Sequence, residues 1–161
     1  MKINEITTKS NKAIIVADDV FDYSTRHNFY QFVNNSLFST KGYDTELHEN
    51  KKDYNLVSKY SESDLENMGF LQHPNFFPLL KYVDGFFVQQ IRVNLSTLND
   101  QNRFHVDVTN SNGVTLLYYP NMNWNLEWGG YTLFANEQIT EIEHTVAYVP
   151  GRVIIFNEDF G

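Results

Sequence analysis

The chain has 161 residues, which is enough for one domain with a real hydrophobic core and no need for disulfides or a structural metal. Hydrophobic residues make up 42% and aromatic residues 16%, a composition that favours a β-rich fold. The net charge of −8 argues against nucleic-acid binding through the phosphate backbone. Cysteine is absent, which excludes disulfides, thiolate zinc sites and cysteine nucleophiles.

No apolar run approaches the roughly 18 residues that span a bilayer. Residues 1–11 are polar and lack the apolar core of a signal peptide. These two features predict a soluble, cytoplasmic protein without a membrane partner.

The first half of the chain predicts helices beside short strands. Residues 13–17 form an apolar run typical of a strand, and Asp18 and Asp19 follow as candidate helix-start residues. Apolar residues at helical spacing predict an amphipathic helix over residues 21–37. A short strand is expected within 53–60, then a helix capped by residues 61–64 and ended by Gly69.

The second half predicts strands separated by turns. The expected strands cover residues 86–95, 103–107, 114–119, 131–134, 142–149 and 152–156. Short strands at regular spacing are typical of a sandwich or barrel. We therefore expect a mostly β (α+β) fold in a single domain over residues 1–161.

His105 and Asp107 form the first candidate functional motif. Successive side chains of a strand alternate between faces, so these two would project from the same face. One imidazole and one carboxylate are two-thirds of the facial triad of non-haem Fe(II) oxygenases. Taken alone, the pair is better explained as two polar residues on the solvated face of a strand.

Three further motifs follow in order: residues 115–121 (TLLYYPN), 124–130 (WNLEWGG) and 150–156 (PGRVIIF). With the H-x-D pair, this series resembles the prolyl-4-hydroxylase-like branch of the Fe(II)/2-oxoglutarate-dependent dioxygenases. The resemblance covers the chain from about Gln90 onwards. It implies a double-stranded β-helix, or jelly roll, with flanking N-terminal helices.

The resemblance also implies site residues and cofactors. His105 and Asp107 would bind Fe(II), and Tyr119 and Arg92 would lie near the cosubstrate 2-oxoglutarate, with ascorbate as an optional reductant. A core tyrosine and a surface ion pair are the alternative explanations for Tyr119 and Arg92. The implied reaction hydroxylates a C–H bond of a prolyl residue or of another amino acid or peptide.

The family's third histidine ligand and its cosubstrate-pairing Arg or Lys would fall beyond Gly161. His144, the only histidine after Asp107, precedes the Pro-Gly-Arg turn and is expected to be surface-exposed instead. The sequence thus predicts an oxygenase domain that is incomplete at its C-terminus and has little or no turnover. Uncovered sheet edges would favour self-association.

Two other functions are compatible with the predicted sandwich. One is a non-catalytic jelly-roll module that binds a carbohydrate or a partner through an aromatic-rich surface. The other is a cupin-type metal enzyme, which would need differently spaced histidines. The ordered motifs favour the dioxygenase over both.

Overall fold

The computed structural model describes residues 1–39, 56–96, 104 and 113–157. Within these residues the chain is mostly β with few helices. The strands are β1 (Lys2–Thr7), β2 (Ala13–Asp18), β3 (Leu56–Tyr60), β4 (Ile91–Leu95), β5 (Val114–Tyr118), β6 (Thr132–Ala135), β7 (Ile142–Val146) and β8 (Val153–Asn157). The helices are α1 (Tyr23–Asn34), α2 (Glu62–Met68) and α3 (Phe77–Leu80), with 3₁₀ turns at Pro74–Phe76 and Leu126–Trp128.

The main sheet has four antiparallel strands in the order β1-β2-β8-β5. Its central pair, β2 and β8, is apolar along nearly its whole length, and Ile15 lies opposite Ile155. Both strands are buried on both faces. This explains why their sequences are continuous apolar runs and do not alternate with polar residues.

The two faces of the main sheet pack against different elements. The face bearing Ile15 and Ile155 packs against the helical segments through the aromatic and aliphatic residues Val20, Phe21, Phe29, Phe70, Phe76 and Leu79. The opposite face, bearing Ile14, Val16 and Ile154, packs against Tyr119 and against Phe134 and Val146 of the β6–β7 hairpin. The helices and the hairpin therefore cover opposite sides of one sheet.

Polar contacts at one corner attach the β6–β7 hairpin to the main sheet. Lys9 in the β1–β2 turn forms an ion pair with Glu141. The neighbouring Ser10 hydroxyl donates to Glu143 on β7. These exposed contacts orient the hairpin, while the apolar contacts beneath it supply most of the stabilisation.

Local sequence signals explain the helix boundaries, with one correction. Helix α2 has the predicted capping box, in which Ser61 and Asp64 exchange hydrogen bonds, and Gly69 ends it at φ 71°. Helix α1 begins later than expected, because Asp22 caps it by accepting a hydrogen bond from the Thr25 amide at 2.7 Å. Asp18, the expected helix-start residue, instead pairs with Arg152.

Two strand predictions also needed correction. Strand β1 lies in the N-terminal stretch that sequence analysis left without structure. Strand β4 begins only at Ile91, and Phe87 in the preceding residues is 86% exposed. The predicted strand over 103–107 falls outside the described residues, except for Phe104.

The described strands form three separate sheets: the main sheet, the β3–β4 pair and the β6–β7 pair. They do not close into a barrel, so the jelly roll stays a prediction. No helix in the described ranges is both long and apolar enough to cross a membrane.

The β8 core gives a stability prediction. Ile154 is fully buried, so Ile154→Ala should lower the free energy of unfolding by about 2–5 kcal/mol through lost burial and a residual cavity. Urea denaturation would measure the change. Leu37→Ala is the control, because Leu37 is 90% exposed and its truncation should change stability by less than about 0.5 kcal/mol. Equal losses in the two variants would contradict the assignment of Ile154 to the core.

Candidate functional site

The predicted iron ligands His105 and Asp107 lie outside the described residues. Phe104, directly before them, is half-buried. After them the chain enters β5, the outer strand of the main sheet beside β8. The surroundings that the structure does describe are therefore β5, the turn before β8 and the segments packed against both.

Tyr119 directly follows β5 and is bound into this region through its backbone and its side chain. Its amide donates to the Arg152 carbonyl at 3.1 Å, and its carbonyl accepts from the Gly151 amide at 2.8 Å. The side chain is only 5% exposed, and its hydroxyl lies 2.5 Å from Thr132 Oγ1. Burial raises the pKa of Tyr119, so its hydroxyl is neutral and can donate a hydrogen bond.

The Pro-Gly-Arg turn is fixed by a glycine and an ion pair. Gly151 has φ 80°, a backbone angle that strains any residue with a Cβ, and a Cβ there would lie 2.5 Å from Arg26 Nε on α1, so the Arg26 side chain would also have to shift. The Arg152 guanidinium donates to both carboxylate oxygens of Asp18, at 2.7 and 2.8 Å, and to the Ala147 carbonyl at 2.9 Å. This fork ties the end of β2 to the turn that leads into β8.

Tyr119, Tyr148 and Trp124 form a continuous stack of rings, called here the aromatic stack. Adjacent ring centroids are 4.1 Å apart in both steps, with interplanar angles of 12° and 23°. The Trp124 indole N–H donates to the Gly129 carbonyl at 3.0 Å, and Tyr148 Oη accepts from the Asn121 amide at 3.3 Å. The stack joins Tyr119 and the loop that follows it to Tyr148, which lies much later in the chain.

Sequence reasoning expected Trp124 and Trp128 to support the edge of the sandwich. Trp124 does so as the end of the aromatic stack, whereas Trp128 is 61% exposed and meets Trp124 edge-on at 5.4 Å. The sequence did not indicate a role for Tyr148, because a tyrosine near the end of a strand carries no distinguishing local signal. Its role follows only from the approach of the turn before β8 to the 120–130 loop.

Arg92, the second predicted cosubstrate residue, lies on β4 opposite Lys59 of β3. It is half-buried. Because β4 belongs to the β3–β4 sheet and Tyr119 follows a strand of the main sheet, the two predicted residues come from different sheets.

His144, which sequence analysis placed at the surface, is instead half-buried on β7 opposite Phe134. Within the described ranges, no three His, Asp or Glu side chains are grouped closely enough to hold a metal ion. This finding does not bear on His105 and Asp107, which lie outside those ranges.

An open groove of about 620 Å³ lies between the end of α1 and strand β3, away from the aromatic stack. Its described lining is Asn35, Leu37, Ser39, Val57, Ser58, Lys59, Tyr60 and Asp64. Neither Tyr119 nor Arg92 borders it.

Comparison with known proteins adds no relative: no family model, no curated protein and no solved structure matches the chain significantly.

Two adjacent glycines allow the packing of Trp124 to be tested. Both have φ near 75°, but a Cβ on Gly130 would lie 2.9 Å from the Trp124 ring, whereas one on Gly129 would meet nothing within 4 Å. Gly129→Ala should therefore lower the free energy of unfolding through backbone strain alone, by about 1–3 kcal/mol.

Gly130→Ala should destabilise the protein by roughly a further 1–3 kcal/mol, because it adds overpacking to the strain. It should also shift the tryptophan emission. Urea unfolding followed by fluorescence measures both effects. Equal destabilisation by the two variants would show that the Trp124 contact carries no energy.

The buried tyrosines predict how stability depends on pH. Burial raises the pKa of Tyr118 and of Tyr148 to about 12, above the value of about 10 in an unfolded chain. The fold therefore favours the neutral form of both tyrosines. Their contribution to the free energy of unfolding is fully present below pH 10 and is lost as the pH rises toward 12.

Stability should consequently fall between pH 10 and 12, by at most about 1.4 kcal/mol per pH unit for each tyrosine. Chemical denaturation across this range measures the slope. Replacing Tyr118 and Tyr148 by Phe should flatten it, while Tyr23→Phe should not, because Tyr23 is 72% exposed. An unchanged slope in the double variant would contradict the assignment.

Proposed function

We propose that the chain is a jelly-roll dioxygenase domain of the Fe(II)/2-oxoglutarate-dependent class, in its prolyl-4-hydroxylase-like branch. One observation carries the proposal beyond the sequence: the segments that bear its motifs meet in space. Tyr119 exchanges backbone hydrogen bonds with the Pro-Gly-Arg turn, and its ring joins the stack that ends on Trp124. This contact supports the proposal, because residues that act in one site must lie close together.

The chemistry of the proposed ligands fits iron. An imidazole from His105 and a carboxylate from Asp107 are the donor types that non-haem Fe(II) sites use. When bound, the iron would use O₂ to couple the oxidative decarboxylation of 2-oxoglutarate, which gives succinate and CO₂, to hydroxylation of a prolyl or other amino-acid or peptide C–H bond, with one oxygen atom going to succinate and one to the substrate.

The chain's own groups would orient the cosubstrate. Tyr119 Oη can accept a hydrogen bond from Thr132 and still donate its own proton to a carboxylate. Arg92, on the separate β3–β4 sheet, would contribute a positive charge near the cosubstrate or the substrate, as the resemblance implies. The apolar residues around Tyr119, including Phe134 and Val146, would keep water away from that hydrogen bond and strengthen it.

The architecture supports the same assignment. A sheet covered by helices on one face and by a β-hairpin on the other is compatible with a jelly roll that has supporting helices. The rigid β5–β8 pair would provide the scaffold on which the preceding metal-binding segment is held.

A non-catalytic binding module is the second candidate, favoured by the exposed apolar side chains of Leu126 and Trp128. Such a module would bind its ligand without metal, and neither His105 nor Asp107 would affect binding. Metal dependence therefore separates the two functions.

The test of the proposal is anaerobic calorimetry of 2-oxoglutarate binding, with and without Fe(II). Binding should require the metal, and His105→Ala or Asp107→Ala should weaken it more than about 100-fold, since outer-shell partners of metal ligands alone are worth roughly 10–100-fold. Tyr119→Phe should weaken binding about five- to tenfold through one lost hydrogen bond.

His27→Ala is the control, because His27 is exposed and its contacts within the described residues are with Tyr23, Tyr30 and Gln31 of the same helix. Metal-independent binding, or unchanged binding in His105→Ala, would refute the oxygenase proposal.

A further inference from the structure

The hydroxyls of Tyr119 and Thr132 form a pair where the main sheet meets the β6–β7 hairpin. Tyr119 Oη lies 2.5 Å from Thr132 Oγ1. Thr132 is the first residue of β6, and Phe134, two residues later on the same face of that strand, packs with Tyr119 in one core cluster. The pair therefore lies on the inner side of the hairpin, where Tyr119 is only 5% exposed.

The two hydroxyls have one proton more than their mutual hydrogen bond uses. Each hydroxyl carries one proton, and each oxygen can also accept hydrogen bonds. The bond between the two oxygens uses one of the two protons, so the other proton stays available to a third group. Which residue holds the available proton depends on which residue donates within the pair.

The two directions of this hydrogen bond have different consequences for an anionic ligand. If Tyr119 donates to Thr132, its only proton is used and its oxygen can only accept. An ionised carboxylate also only accepts, so no hydrogen bond could form between them. If Thr132 donates, the phenol proton is free. Tyr119 can therefore bind a carboxylate and keep its contact with Thr132 only when Thr132 is the donor.

Two physical effects favour donation by Thr132 once a carboxylate is present. Donation to a charged acceptor makes the phenol oxygen a stronger acceptor, so two hydrogen bonds in series strengthen each other. The contact also affects ionisation. Burial raises the pKa of Tyr119, and the Thr132 hydrogen bond opposes this effect because it stabilises negative charge on Oη.

We propose that Thr132 is a positioning residue of the cosubstrate site, whose hydroxyl donates to Tyr119 Oη and thereby directs the phenol proton to a carboxylate of 2-oxoglutarate. Thr132 acts through Tyr119 and needs no contact of its own with the cosubstrate. The inference rests on the proposed oxygenase function, in which Tyr119 binds 2-oxoglutarate. It adds a residue that lies outside all the sequence motifs on which the resemblance depends.

Two substitutions separate the hydroxyl of Thr132 from its shape. Thr132→Val removes the hydroxyl and keeps a β-branched side chain, whereas Thr132→Ser keeps the hydroxyl and removes the methyl group. Thr132→Ala removes the same hydroxyl without adding bulk, and it takes the place of Thr132→Val if that variant does not fold.

The first measurement needs neither metal nor cosubstrate. The protein is labelled with ¹³C at the Cζ atoms of its tyrosines, and the Tyr119 signal is identified by its absence in Tyr119→Phe. In a pH titration followed by NMR, the pKa of Tyr119 should be higher in Thr132→Val than in the unchanged chain, because the phenolate has lost a donor. Thr132→Ser should titrate as the unchanged chain does. An unchanged titration in Thr132→Val would overturn the proposal.

The second measurement is anaerobic calorimetry of 2-oxoglutarate binding with Fe(II) present. Thr132→Val should weaken binding about three- to tenfold, because the hydrogen bond from Tyr119 to a charged group loses its support, and Thr132→Ser should change it less than about twofold. In the Tyr119→Phe background, Thr132→Val should have no further effect, because Thr132 acts only through the phenol.

The outcomes separate this inference from the oxygenase proposal. If the unchanged chain shows no metal-dependent binding of 2-oxoglutarate, the oxygenase function fails and the role of Thr132 fails with it. If the unchanged chain binds, Tyr119→Phe binds more weakly and Thr132→Val binds normally, only the role of Thr132 is overturned.

Two further results would contradict the role of Thr132 alone. The first is equal weakening by Thr132→Val and Thr132→Ser, since packing of the side chain would then explain the loss. The second is a weakening by Thr132→Val that persists in the Tyr119→Phe background, since direct contact with the cosubstrate would then explain it.

Discussion

The antiparallel pairing of β2 with β8 is the constraint on which the rest of the described structure depends. These two central strands are apolar on both faces, so each face needs its own cover. The aromatic residues of the helical segments cover one side, and Tyr119 with the β6–β7 hairpin covers the other. The Arg152–Asp18 fork closes the end of the pair, where the strands meet the Pro-Gly-Arg turn.

The candidate site lies at this same end of the sheet. The turn before β8 brings Tyr148 onto Tyr119 and leaves Gly151 tight against α1. Because Trp124 extends the same stack, the 120–130 loop is anchored to the sheet although it contains only a 3₁₀ turn. Loops carrying function on rigid scaffolds are typical of binding and catalytic sites, and here stacking of rings provides the rigidity.

Oxygenase chemistry would use Tyr119, whose hydroxyl is neutral, buried and directed to Thr132, where a hydrogen bond to a carboxylate would be strong.

Local signals in the sequence determined the elements that depend on nearby residues: the capping box of Ser61 and Asp64, the left-handed Gly69 and the apolar runs of β2 and β8. The same signals predicted mostly β structure with few helices, and they supply the iron-ligand pair His105 and Asp107, which stays a prediction. Tertiary structure alone decided the remainder. Strand β1 is polar and forms because β2 offers an edge, Asp18 pairs with Arg152 instead of starting a helix, and Tyr148 gains its role only when its turn meets Trp124. The physical reason is that the contacts of Asp18 and of Tyr148 join residues far apart in the chain, and their energy exists only after those segments have come together, whereas β1 carries no apolar run that would mark it as a strand.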